Sequence, residues 1–104
     1  MNIQQTFPLN IFRAYDIRGK LSNLTPDIIC SIAYALAQQY KYAEQTQIVI
    51  GYDARLTSPG YANIIQKVLE QQGLNVTNIG CCSSPMMYYI ARDFGGNGIM
   101  VTAS

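Results

Sequence analysis

The chain has no histidine, only three cysteines and few charges, with seven Lys and Arg against six Asp and Glu in 104 residues. Without histidine, zinc sites built on imidazole and catalytic dyads or triads that use a histidine base cannot be assembled from it. The charges are scattered singly and sum to +1. No basic face is available to neutralise a run of phosphates, so nucleic acid is not an expected partner. No apolar stretch approaches the ~20 residues needed to span a bilayer, and the start, Met1 to Pro8, has no basic segment followed by an apolar one of the kind that directs secretion. A soluble cytoplasmic protein off the membrane is the expectation. The cysteine count is odd and Cys81 and Cys82 are adjacent, which disfavours a bridge between them. Small, buried or half-buried apolar thiols are expected, since no neighbouring charge suggests reactivity.

What is present fits one compact domain over residues 1–104 with one core. Thr25-Pro26, Ser58-Pro59 and Ser84-Pro85 each place a capping hydroxyl before a proline suited to the first helical position. The spacing of Ile28, Ile32, Leu36 and Tyr40, with Ile29, Ala33 and Ala37 beside them, predicts a helix ending near Lys41. Tyr61, Ala62, Ile65, Val68 and Leu69 predict a second, stopped by Gly73, and Met87, Ile90, Ala91 and Phe94 a third that closes at Gly95-Gly96.

Between the helices lie runs rich in β-branched residues at 47–52, 75–79 and 98–102. Residues 12–17 read as a further extended segment, an edge or antiparallel strand ending at Gly19. Alternation of strands and helices predicts an α/β fold. The expected architecture is a three-layer sandwich, with a mostly parallel, mixed sheet of about four strands and helices on both faces.

In open α/β sheets, ligands gather beyond the carboxyl ends of the strands. Three segments end there: Gly51 to Ser58, Gly80 to Ser84, and Thr102 to Ser104. Their hydroxyls and helix-terminal N–H groups suit an anion such as phosphate. Nucleotide loops are not the expected route, because Gly95-Gly96-Asn97-Gly98 precedes a strand instead of following one and no Gly-Lys-Ser/Thr occurs. Asp53 lacks the acidic companions that a metal-assisted phosphate-accepting carboxylate needs.

Three segments then carry a resemblance: Phe12-Arg-Ala-Tyr-Asp-Ile-Arg-Gly19, Gly51-Tyr-Asp-Ala-Arg-Leu-Thr-Ser58 and Gly98-Ile-Met-Val-Thr-Ala-Ser104. In order and spacing they resemble the signatures of the first domain of the α-D-phosphohexomutase superfamily, over nearly all of residues 11–104. The first is closer to the bacterial phosphomannomutase/phosphoglucomutase branch than to the phosphoglucosamine mutases.

The resemblance implies that Ser104 carries a phosphate that passes to a hexose phosphate through a hexose 1,6-bisphosphate. It also implies Mg²⁺, with a phosphoserine oxygen as one ligand and carboxylates from a later domain as the others. Arg18, Tyr15 and Arg55 match positions expected at the substrate, where a guanidinium can clamp phosphate oxygens. Tyr15 has a second reading, as a strand tyrosine that packs with its hydroxyl satisfied. Arg55 has one as the partner of Asp53 in a loop-shaping pair. Arg13 shares a strand face with Tyr15.

The resemblance leaves the remaining mutase domains, with their metal and sugar sites, missing from this sequence. The isolated chain is therefore expected to be inactive, lacking the means to place a hexose hydroxyl in line. A non-catalytic binding or regulatory module and a piece of a phosphoglucosamine mutase are the alternatives.

Overall fold

The computed structural model describes residues 2–6, 13–19, 25–54 and 58–103, with residues 2–6, 13, 14, 16, 18, 19 and 103 described by their backbone. Among the described residues, five strands and three helices follow one another: β1 (Asn2–Thr6), β2 (Arg13–Gly19), α1 (Pro26–Tyr42), β3 (Gln47–Tyr52), α2 (Ser58–Gln71), β4 (Asn75–Cys81), α3 (Ser84–Arg92) and β5 (Asn97–Ala103). They build one mixed sheet in the order β1-β2-β5-β3-β4. β1 is antiparallel to β2, and every other pairing is parallel.

The α/β class and the mixed, mostly parallel sheet are as expected, and among the described residues the sheet has five strands where about four were expected. The edge is β1, whose five residues hold one large apolar side chain, Ile3, and so show no alternation to read. β2, expected at an edge or antiparallel, lies inside the sheet, antiparallel to β1 on one side as expected but parallel to β5 on the other.

Right-handed crossovers explain the layers. The connections β2-α1-β3 and β3-α2-β4 both step toward β4, whereas β4-α3-β5 steps back across β3. Stepping in opposite directions with one hand puts α1 and α2 on one face and α3 on the other. Two hydrophobic clusters match this. Ile17, Ile48, Ile50, Ile99 and Val101 pack with α1 and α2 through residues such as Ile29, Leu36, Ile65 and Leu69. Val49 and Met100, on alternate positions of the same strands, pack with Met87 and Ala91 of α3. Burial on both faces is why β3 and β5 read as continuous apolar runs.

Local chemistry sets the helix ends. Thr25 caps α1, its side chain accepting from Ile28 N at 3.2 Å, a contact of about 1 kcal/mol. At the end of α2, Gly73 takes φ +88°, and Leu74 N donates back to Leu69 O at 3.1 Å. Two details differ from expectation. The cap of α3 is Ser83, not Ser84, and accepts from Met86 N. Phe94, assigned to the apolar stripe of α3, is 41% exposed, since the helix ends at Arg92. Among the described residues, no helix is long and apolar enough to cross a membrane.

Candidate active site

The parallel strands β2, β5, β3 and β4 bring their carboxyl ends to one edge. Arg18 pairs there with Thr102 and Gly19 with Ala103, while Tyr52 pairs with Val101 on one side and Cys81 on the other. All three signature segments therefore reach this edge, at the ends of β2, β3 and β5. Past the ends of β3 and β4 the chain leaves toward opposite faces, into α2 and α3, which is the topology that opens a crevice in such sheets.

Each loop is held by specific bonds. Beyond β3, the Asp53 amide donates to Val101 O at 3.1 Å. The Ser58 hydroxyl donates to Asp53 Oδ1 at 2.6 Å, with Ser58 fully buried. Ser58, expected as the cap before α2, is the first residue of that helix, and its hydroxyl is given to Asp53.

Beyond β4, a register shift at Ile50/Gly51 accompanies Gly80 in the left-handed region, φ +79°, with its amide bonded to Asn78 Oδ1 at 2.9 Å. Only then does Cys82 N reach Tyr52 O at 2.9 Å and α3 begin. At the end of β5, the Thr102 Oγ1 is buried with no hydrogen-bond partner among the described residues.

The predicted site residues fall in different places. Ser104 and Arg55 lie outside the described residues. Arg18 is placed by its backbone at the carboxyl end of β2. Tyr15 is buried at 5% exposure in the core beneath α1. Its hydroxyl donates to Gln39 Oε1 at 2.7 Å, and its ring meets Tyr40 edge-on at 6.0 Å. That geometry is the packing reading of Tyr15, with the hydroxyl satisfied by a helix. The Asp53–Ser58 bond and the orphaned Thr102 hydroxyl were not anticipated. The only signal for the first was a carboxylate at a strand end five positions before a serine that opens a helix.

The cysteines are more accessible than expected, for Cys30 and Cys81 are exposed and Cys82 is half-buried. The Cys82 thiol is pushed up from its ordinary 9.0 by burial, then by the adjacent Cys81, against a lowering backbone hydrogen bond at Tyr52. A folded-state pKa above the unfolded one gives stability that is complete below the unfolded value and is lost as pH rises through the folded one. Iodoacetamide at about pH 8.5 is expected to modify Cys81 well before Cys82. Peptide mass mapping over time checks the order.

Among the described residues, no group of three or more Cys, Asp or Glu could hold a metal ion. Asp53, the carboxylate nearest the strand ends, has Oδ1 committed to Ser58. The described residues thus do not by themselves make a Mg²⁺ site. A groove of about 600 Å³ lined by Gln38, Gln39, Lys41 and Tyr42 lies where α1 ends, at the opposite edge of the sheet.

Comparison with known proteins agrees with this geometry. A family profile described as "Phosphoglucomutase/phosphomannomutase, alpha/beta/alpha domain I" matches residues 9–104. A phosphoglucomutase of Neisseria meningitidis is 38% identical over 97 residues, covering 91% of this chain and 21% of that protein. A protein of Xanthomonas campestris named "Phosphohexose mutases" is 37% identical over 98 residues, covering 92% and 21%. A phosphomannomutase/phosphoglucomutase of Pseudomonas putida is 34% identical over 104 residues, covering 98% and 22%. The chain spans about a fifth of the length of these curated relatives. With a profile match over nearly its whole length, and the described strands, helices and layers of an α/β/α domain, the chain belongs to the phosphoglucomutase/phosphomannomutase family and corresponds to its domain I.

Proposed function

We propose that this chain is the first domain of a cytoplasmic phosphohexose mutase that interconverts hexose 1-phosphates and hexose 6-phosphates, with Ser104 as the phosphate carrier. The observation that carries the reading is the meeting of three signature segments at one sheet edge, through the pairing of Arg18 with Thr102 and the bond from Asp53 N to Val101 O. The names of the similar proteins favour glucose and mannose phosphates over glucosamine phosphate as substrates. Three unpaired thiols fit a reducing compartment.

In the proposed reaction, a hexose hydroxyl attacks the phosphorus of phosphorylated Ser104. The bond from phosphorus to Ser104 Oγ breaks as the bond to the sugar oxygen forms, and the hydroxyl proton leaves to a base. The hexose 1,6-bisphosphate then returns its other phosphoryl group to Ser104. Such transfer depends on alignment and on neutralising oxygen charge. Arg18 and Arg55 are assigned to clamp phosphate oxygens. Tyr15 contributes from behind, by fixing β2 against α1. The Mg²⁺ of the reading would add charge neutralisation, with carboxylates from elsewhere in the parent protein.

The test compares the complete parent protein with the 104-residue chain. Each is supplied with glucose 1-phosphate or mannose 1-phosphate plus Mg²⁺ and a trace of the corresponding 1,6-bisphosphate, and 6-phosphate formation is followed. The complete protein is expected to turn over and to yield a phosphopeptide at Ser104, whereas the short chain makes no product. Phosphate recovered on another residue, or product from the short chain, would sink the assignment.

A further inference from the structure

We propose that the outward face of α3, carried by Met86 and Tyr89, is an internal interface of the parent protein, covered by an apolar segment of the same polypeptide that lies outside these 104 residues. The inference goes beyond the mutase reading and needs only that the parent be longer than this chain, which spans about a fifth of the length of its relatives.

The sequence of α3 is apolar on every side. From Ser84 to Ala91 it holds no charged or amide side chain, and its one charge, Arg92, stands over the Tyr89 ring at 4.9 Å. Met87 and Ala91 form the buried side, packed with Val49 and Met100 of the sheet. Met86 and Tyr89, neighbours on the helix surface at a spacing of three, are 52% and 62% exposed. α2 is built differently, for its exposed positions are Gly60, Asn63, Lys67, Glu70 and Gln71. On α1, Gln39 and Lys41 stand exposed between Tyr34 and Tyr42. A helix that is apolar all round belongs in a setting that buries all of it, and Met, Tyr and Arg are side chains in which interfaces are enriched.

The layer that α3 forms is also incomplete. Parallel strands are covered on both faces, and α1 and α2 together cover one face of this sheet. Among the described residues α3 is the only helix on the other, where it packs on β3 and β5. A helix is ~10 Å across, whereas five strands span ~19 Å between the outer two. Further structure beside and over α3 would complete the layer.

The size of the patch chooses the occupant. A nine-residue helix is ~14 Å long, so its outward face offers a few hundred Å² at most, well below the ~800 Å² per partner of a stable dimer. A segment of the same polypeptide is held close by its own backbone, at an effective concentration on the order of millimolar, and can seat on a patch this small.

Two measurements on the complete parent protein test the proposal. In the first, wild-type protein is labelled briefly with hydroxyl radicals, both native and unfolded in urea, and the native rate at Tyr89 is divided by the unfolded one. An exposure of 62% slows labelling by only about twofold; cover by another segment is expected to slow it about tenfold. In the second, Tyr89→p-benzoylphenylalanine and Met86→p-benzoylphenylalanine are irradiated at a concentration where the protein is monomeric. The photoproduct is expected within a single chain, joined to a peptide from beyond residue 104.

Labelling of Tyr89 within about twofold of the unfolded rate would show the face open to water and overturn the proposal. A crosslink between two copies, one confined to residues 1–104, or none to a later peptide at either position would overturn it too, by assigning the cover elsewhere. Neither readout depends on turnover, so a parent that converted no hexose phosphate would sink the mutase reading and leave this test standing.

Discussion

Replacing Ser104 by alanine in the complete parent protein is expected to lower mutase turnover by about a thousandfold or more, the scale on which removal of a covalent nucleophile acts. Alanine lacks the Oγ that forms the phosphoester, so no phosphoenzyme accumulates and bisphosphate is neither made nor consumed. Folding should be untouched, because the change removes one oxygen from the residue that follows β5 in the sequence and leaves Ile99, Met100 and Val101 in the core. The combination to look for is wild-type thermal unfolding, loss of turnover, and loss of label when the protein is incubated with radiolabelled glucose 1,6-bisphosphate. Residual turnover above a few per cent with undiminished labelling would place the carrier elsewhere.

The second large effect concerns stability. Gly98 sits in β5 against α3, where a Cβ would run into the Met87 thioether and come within 3.3 Å of Ala91 Cβ. Diagonally across on β3, where Val49 pairs with Gly98 and Gly51 with Met100, a Cβ at Gly51 would lie 2.7 Å from Cys82 Sγ and 3.4 Å from Met87 Cγ. Met87, fully buried, therefore fills a depression made by two glycines on adjacent strands.

Valine at position 98 suits a strand better than glycine by up to ~1 kcal/mol, but three added carbons must displace Met87 or push α3 away. Losing the burial of a methionine costs about 1.5–3 kcal/mol and overpacking strain about 1–3 kcal/mol, so the clash outweighs propensity. Gly98→Val is expected to destabilise the 104-residue chain by about 3 kcal/mol, read from its urea midpoint. In the double variant with Met87→Ala, the added valine occupies the space the methionine leaves. The two changes should then couple favourably, by at least about 1 kcal/mol. Simple additivity would mean that Met87 does not pack in the glycine depression.

These effects also separate what could be read from the sequence from what could not. The helices were legible because Thr25-Pro26 and Ser58-Pro59 are local signals and because Ile29, Ile32, Leu36 and Tyr40 keep a helical period. The buried strands β3 and β5 were legible as apolar runs. β1 was not, since Asn2–Thr6 becomes a strand only by pairing with β2, and its own side chains carry no pattern. The interior place of β2 was hidden for a related reason. It depends on β5, some eighty residues later in the chain, choosing the slot between β2 and β3.

The candidate site divides in the same way. The motif segments were visible and the convergence of strand ends followed from the α/β class, because parallel strands share a carboxyl edge. The orientation of Tyr15 toward Gln39 was not decidable, since a tyrosine on an alternating strand suits a core or a site equally. The bond between Ser58 and Asp53 was missed because a serine before a proline signals a helix cap more strongly than it signals a donor to the residue five positions earlier.

The late arrival of β5 at the centre of the sheet has a consequence for how the chain is made. While a ribosome is still producing residues 97–103, the strands already released can form only two separately hydrogen-bonded pieces, the β1–β2 pair and the β3–α2–β4 unit, each with one margin bare that β5 later covers. Nothing joins those margins until β5 slides between them, bonding to β2 on one side and β3 on the other. Assembly is thus delayed to the last moment of this segment's synthesis, and the two bare margins are open to wrong partners in the interval. The strand that leads into Ser104, the proposed phosphate carrier, is the same one that closes the sheet, so the β-sheet is whole only once the chain has been made as far as this residue.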